Sequence, residues 1–163
     1  MKPQRLDFVV PGSLDQCTGG SRYDSHIVSG LRSLGWEVSV HNLPGSFPDA
    51  DEVALKSLSA ALNALHDGTR VVIDGLAMGG LPNLVSAHAE RLQILSLVHH
   101  PLADETGLST KEQQRFEMSE RKALRAATGV VVTSEFTATR LSNYDVPPGR
   151  IRTVLPGTEP VQP

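Results

Sequence analysis

Cysteine occurs once, at Cys17. No disulfide framework can staple the chain, and a single thiol fits a reducing compartment. Aromatic residues make up only 4%, too few for base-stacking platforms. Positive charge is also short. Lys and Arg number 15 against 18 Asp and Glu, for a net charge of −3, which argues against a broad nucleic-acid footprint or a polybasic membrane patch. No apolar run approaches the ~20 residues of a membrane span, and the run in the N-terminal MKPQRLDFVVPG is far too short for a signal peptide. The expectation is a cytoplasmic protein with no integral membrane segment and no nucleic-acid partner. Its 163 residues suffice for one domain with a real core.

What is present alternates between apolar runs and helical patterns. Leu6–Val10 reads as a buried strand. Ile27, Val28, Leu31 and Leu34 recur at helical spacing, with Ser21 and Asp24 as a capping box and Gly35 as the stop. Glu37–His41 is the second strand. Asp49 and Glu52 form another capping box, followed by Leu55, Leu58, Leu62 and Leu65 along one helix face, with Gly68 as the stop. Arg70–Asp74 is the third strand. The stretch Gly75–Gly80 reads as a loop, and Pro82 suits the first turn of a short helix towards Leu92. Gln93–Val98 is the fourth strand. A charged helix spans roughly Thr110–Ala127, with a solvated face from Lys111 to Arg125 and Gly129 as its stop. Val130–Thr133 is the fifth strand, Ser134 an N-cap, Glu135–Asn143 a short helix and Ile151–Leu155 the sixth strand.

Strands alternating with helices make β-α-β units. These predict an α/β, doubly wound, Rossmann-like domain over residues 1–163: a mostly parallel sheet of about six strands with helices on both faces. Continuous apolar strands agree, because both faces would be buried. Such sheets bind ligands at the carboxyl ends of their strands. The residues to watch therefore lie in Gly12–Tyr23, Asp74–Pro82 and His99–Gly107, and at Ser134 and Glu135.

The first of these connections contains neither G-x-G-x-x-G nor G-x-x-x-x-G-K-[ST], so neither an ordinary NAD site nor a P-loop is indicated. Gly19 and Gly20 nevertheless precede a helix, where backbone N–H groups and the helix dipole favour an anion. Either they bind one, or they serve loop geometry alone. Mobility across Gln16–Ser21, or a positive φ at Gly19 or Gly20, would mark the ligand loop. Arg22 could grip a phosphate bidentately or be solvated. Asp74 could bond an acceptor hydroxyl or cap Gly75–Gly80. His99 and His100 point opposite ways in an extended segment, which makes them a poor bidentate metal pair. With Asp74 and Asp104 as neighbours, no metal site is expected. Cys17 reads as a bystander.

Four pieces in order resemble one family. "TGGSRYDSHIVSGLRSLGWEVSV", "SLVHHPL", "SERKALRAATGVVVTSEFTATRL" and "GRIRTVLPGTEP" are similar to the glycine loop and first helix, the strand-four end, the helix and Ser-containing turn, and the closing run of the N-terminal domain of a retaining GT-B glycosyltransferase of family four. The likeness covers essentially the whole chain. Two positions depart from it: Pro156 stands at the usual Asn, and Thr158-Glu159 replace Val-Asp.

The resemblance implies transfer of a sugar from a nucleotide diphosphate donor to an acceptor hydroxyl with retention. No cofactor is then bound tightly, and the nucleotide sugar is a co-substrate. His99 matches the family's active-site histidine. A strand-end histidine at the mouth of the cleft is expected to matter for turnover and hardly for stability. Gly19, Gly20 and Arg22 fall where the donor phosphates are held. Asp74, His100, Glu105 and Ser134 fall on the side of a small-molecule or glycan acceptor. Glu120 resembles a structural position. In the family a second, donor-binding domain follows, so the chain is expected to be the acceptor half, inactive alone. The alternative is a stand-alone Rossmann-like nucleotide- or cofactor-binding module without catalysis. A flavodoxin-like regulatory domain is disfavoured by the sixth strand and the long first connection.

Overall fold

The computed structural model describes residues 4–157; Thr158 and Glu159 of the closing run lie outside them. Six strands form one fully parallel sheet: β1 (Arg5–Pro11), β2 (Glu37–Leu43), β3 (Arg70–Asp74), β4 (Gln93–Val98), β5 (Gly129–Val132) and β6 (Ile151–Thr153). Their order is β2-β1-β3-β4-β5-β6. The order reverses between β1 and β3, which is where a doubly wound sheet opens a crevice at its carboxyl edge. The first five strands follow the flavodoxin-like order, and β6 extends it.

Helices α1 (Gly19–Ser33), α2 (Glu52–Ala64), α3 (Gly75–Gly80), α4 (Pro82–Ala87), α5 (Thr110–Ala126) and α6 (Glu135–Ser142) cover the sheet. Side chains alternate across a strand, and the core divides accordingly. Val9, Val71, Ile73 and Ile94 pack with Leu58 and Leu62 of α2, Met78 of α3 and Ala123 of α5. Phe8, Val10, Val72 and Leu97 pack with Tyr23 and Val28 of α1. Leu141 of α6 joins Val130, Val132 and Leu124. One face thus carries five helices and the other carries α1. None of these helices is long and apolar enough to cross a membrane.

Several local expectations are corrected. The capping box of α1 is Thr18 with Ser21, not Ser21 with Asp24. Gly19 and Gly20 are therefore the first two helical residues, and neither has a positive φ. For α2 the N-cap is Asp51, whose carboxylate accepts from the Ala54 amide at 2.7 Å; Asp49 pairs instead with Arg115. Ala54, Leu58 and Leu62 form its buried stripe, and Leu55 is exposed, one position off the stripe. Residues Gly75–Gly80 are helical, because the Asp74 carboxylate caps them. The helix begun by Pro82 ends at Ala87, Gly129 opens β5 rather than closing α5, and β6 ends at Thr153. Gly35, with φ +85°, follows α1 as expected, and Ser134 caps α6.

Candidate functional site

The carboxyl edge of the sheet opens into a cleft of about 440 Å³. Its walls include Gly12, Ser13 and Gln16 after β1, Gly20 and Asp24 of α1, Asp74 at the end of β3, and His99, His100 and Glu105 after β4. Leu14, Phe47 and Leu76 supply an apolar side.

Three side chains converge on its floor. His99 Nε2 lies 2.9 Å from Asp24 Oδ1 and 3.5 Å from Asp74 Oδ2. Both carboxylates are buried, at 3% and 4% exposure. A buried carboxylate needs a charged or hydrogen-bonding partner, and each has one. Asp74 Oδ1 also accepts the Leu76 amide at 2.8 Å. The imidazole sits edge-on to the Tyr23 ring, centroids 5.3 Å apart, and the Tyr23 hydroxyl donates to the Val154 carbonyl at 2.7 Å. Gly20 lies close against the imidazole, with room for no more than ordinary contact.

The electrostatics follow from this arrangement. Burial disfavours the charged imidazole, but the hydrogen bond to Asp24 and the charges of Asp24 and Asp74 outweigh it and hold the His99 pKa above its ordinary value. Burial pushes Asp74 up to about 6, with the Asp24 charge adding to the rise and His99 opposing it. Lying between the two carboxylates favours the protonated form of the ring. Nε2 is engaged, and Nδ1 has no partner among the described residues, so Nδ1–H is the group left to donate to a ligand. Such a histidine supplies charge and one hydrogen bond; it is not a free base.

The segment carrying His99 is pinned at three points. Thr133 Oγ1 donates to the His99 carbonyl at 3.2 Å. Glu120 of α5, 2% exposed, accepts the Leu102 amide at 3.1 Å. Arg140 of α6 grips both oxygens of Asp104. Burial pushes the Glu120 carboxyl up to about 8, so it is a neutral acid at pH 7.

The structure thus brings His99, His100, Asp74, Glu105 and Gly20 together. Gly19 and Arg22 line a neighbouring depression beside α1, with Leu155 and Pro156. The Gly19 and Gly20 amides have no acceptor among the described residues, as expected at a helix N-terminus. Ser134 Oγ is occupied as the cap of α6, accepting the Thr137 amide at 3.1 Å. Asp24 is the residue that sequence reasoning missed as a site group. The signal was there: it shares its helix stripe with Val28 and Leu31, where a carboxylate has to be buried. Asp104 pairs with Arg140. Asp24, Asp74 and His99 could each offer one ligand atom, all within 4.8 Å of one another. Cation binding there would require His99 to lose both its proton and its bond to Asp24.

A family model described as "Glycosyl transferase 4-like domain" matches residues 57–157, from within α2 to the end of the described chain. The matched stretch includes Asp74, His99, His100, Glu105, Glu120 and Ser134. No curated protein matches the chain.

Proposed function

The chain belongs to the glycosyl transferase 4-like domain family, and from that premise we propose that it is the N-terminal, acceptor-side half of a retaining GT-B glycosyltransferase. It moves a sugar from a nucleotide diphosphate donor to an acceptor hydroxyl, and a second domain carries most of the nucleotide site. The observation that carries this reading is the His99 ring. It stands just past the carboxyl end of β4 beside the first turn of α1, on the floor of the cleft and bonded to Asp24.

Departure of the nucleotide diphosphate builds negative charge, which preorganised donors stabilise best where water is excluded. The Gly19 and Gly20 amides, the positive end of α1, Arg22 and the His99 charge are placed to do this. Nδ1–H of His99 holds a hydroxyl of the donor sugar. Asp74, His100 and Glu105 face the acceptor and orient its hydroxyl, which contributes through positioning rather than proton transfer. Ser134 acts through α6, since its hydroxyl is already engaged. The reaction calls for no tightly bound cofactor, and the lone cysteine supports a reducing, cytoplasmic setting.

The test is a transfer assay on residues 1–163 and on the complete gene product, side by side. Product with retained anomeric configuration is expected from the complete product and none from the 163 residues. Turnover by the 163 residues alone would overturn the half-enzyme reading, and an inverted product would overturn retention.

A further inference from the structure

Taking the cleft as the acceptor site, we propose that its acceptor is an uncharged sugar or polyol and that phosphorylated or carboxylated acceptors are rejected. The cleft carries more carboxylates than cations. Among the described residues lining the cleft there is no lysine or arginine. Three carboxylates line it: Asp24 and Asp74 in its floor and the exposed Glu105 at its rim. Against them stand His99, already held between the two aspartates, and the exposed His100 ring.

Arginines near the cleft do not change the balance. Arg140 touches the same segment but is engaged with both oxygens of Asp104. Arg22 lines the depression on the other side of the α1 N-terminus. The proposed reaction assigns the first-turn amides of α1, the neighbouring Arg22 and His99 to the donor diphosphate. A second anion would find no cation, would face Glu105 and would lose hydration without replacement. A neutral polyol meets the exposed Glu105 carboxylate, which accepts from its hydroxyls. Its apolar ring face meets Leu14, Phe47 and Leu76, the mix of apolar wall and few polar anchors that small-molecule sites show.

The experiment titrates isotopically labelled residues 1–163 with matched pairs, glucose against glucose 6-phosphate and mannose against mannose 6-phosphate. Backbone resonances of Gly20, His99 and Glu105 are followed by NMR. The buffer is free of phosphate, and inorganic phosphate titrated alone reads what an anion position at the α1 N-terminus contributes. The neutral member of each pair is expected to bind at least about tenfold more tightly, and Glu105→Lys to narrow that gap severalfold. Equal or tighter binding of the phosphorylated members, or a gap unmoved by Glu105→Lys, overturns the charge argument and leaves the acceptor reading standing. Absence of any shift at these residues with either neutral sugar overturns the acceptor reading itself.

Discussion

His99 and Asp24 are 75 residues apart in sequence and 2.9 Å apart in the structure. One ends β4 and the other lies in the second turn of α1, on the face that α1 turns to the sheet. This bond ties a half-buried ring of the cleft to a buried carboxylate. It sets the ring's protonation, its tautomer and which nitrogen is left for a ligand.

The protonation can be checked directly. With Asp24 in place His99 should titrate above the ordinary histidine value of ~6.5. In Asp24→Asn the burial penalty stays and the attraction goes, so the His99 pKa should fall. Histidine side-chain NMR on residues 1–163 reads both values. A raised folded pKa gives stability that is complete below the unfolded value and is lost as pH rises through the folded one. Asp24→Asn should therefore reduce that alkaline loss. An unchanged titration would mean that Asp24 does not govern the ring.

Glu120 gives a second pH signature. Its folded pKa of about 8 lies above the ordinary glutamate value. The proton is bound more tightly in the folded state, so the stabilisation is complete below the unfolded pKa of ~4.3 and is lost as pH climbs to about 8. Glu120→Gln keeps an acceptor for the Leu102 amide and removes the titration. Its melting temperature should lose less than wild type between acidic and mildly alkaline pH. Glu120→Ala orphans the Leu102 amide and should cost about 1–3 kcal/mol at any pH. Parallel pH profiles for wild type and Glu120→Gln would show that the carboxyl ionises freely.

Most of the architecture was legible in the sequence because parallel strands buried on both faces appear as unbroken apolar runs, as in FVV, VVI and VVV. Helix starts were harder. Ser21-x-x-Asp24 and Thr18-x-x-Ser21 both fit a capping pattern, and only the geometry shows that Thr18 receives the Ser21 amide. Leu55 fitted an apolar stripe by spacing, yet the smaller Ala54 takes the buried position. At the site, Asp74 was singled out because strand ends are where such sheets bind ligands, and His99 because its motif resembles the family's histidine. Asp24 was missed because its partner is supplied by the fold and not by its neighbours in sequence.

Two glycines make opposite predictions for stability. Gly45 has φ +107°, and a Cβ there would come within 2.3 Å of the Ala54 nitrogen. Gly45→Ala should destabilise by about 1–3 kcal/mol through backbone strain and overlap. Gly30 is an exposed interior residue of α1 with open space around its Cα. Gly30→Ala should stabilise by roughly 0.5–1 kcal/mol, the helix-propensity difference. Denaturant melts of the two variants measure both, and a stable Gly45→Ala would contradict the close approach of the loop to α2.

The last prediction separates the catalytic from the structural role of His99. Sequence reasoning expected His99→Ala to leave stability nearly unchanged, but the geometry argues otherwise. Removing the imidazolium strips the buried Asp24 and Asp74 of their cation. Uncompensated buried charge costs about 3–5 kcal/mol. The loss should be larger at pH 8 than at pH 5, because Asp74 can take up a proton in acid and relieve the repulsion. Adding Asp24→Asn removes one of the two charges, so the double variant should recover much of the stability at pH 8. Turnover should behave differently. If the ring stabilises the departing diphosphate, its loss is worth ~2–4 kcal/mol, or about two to three orders of magnitude in kcat, and no change at Asp24 restores it. Thermal melts of residues 1–163 and kcat of the complete gene product are the two readings. A double variant that recovers stability and kcat together would reduce His99 to a structural counter-charge. One that recovers stability alone makes the ring part of the reaction.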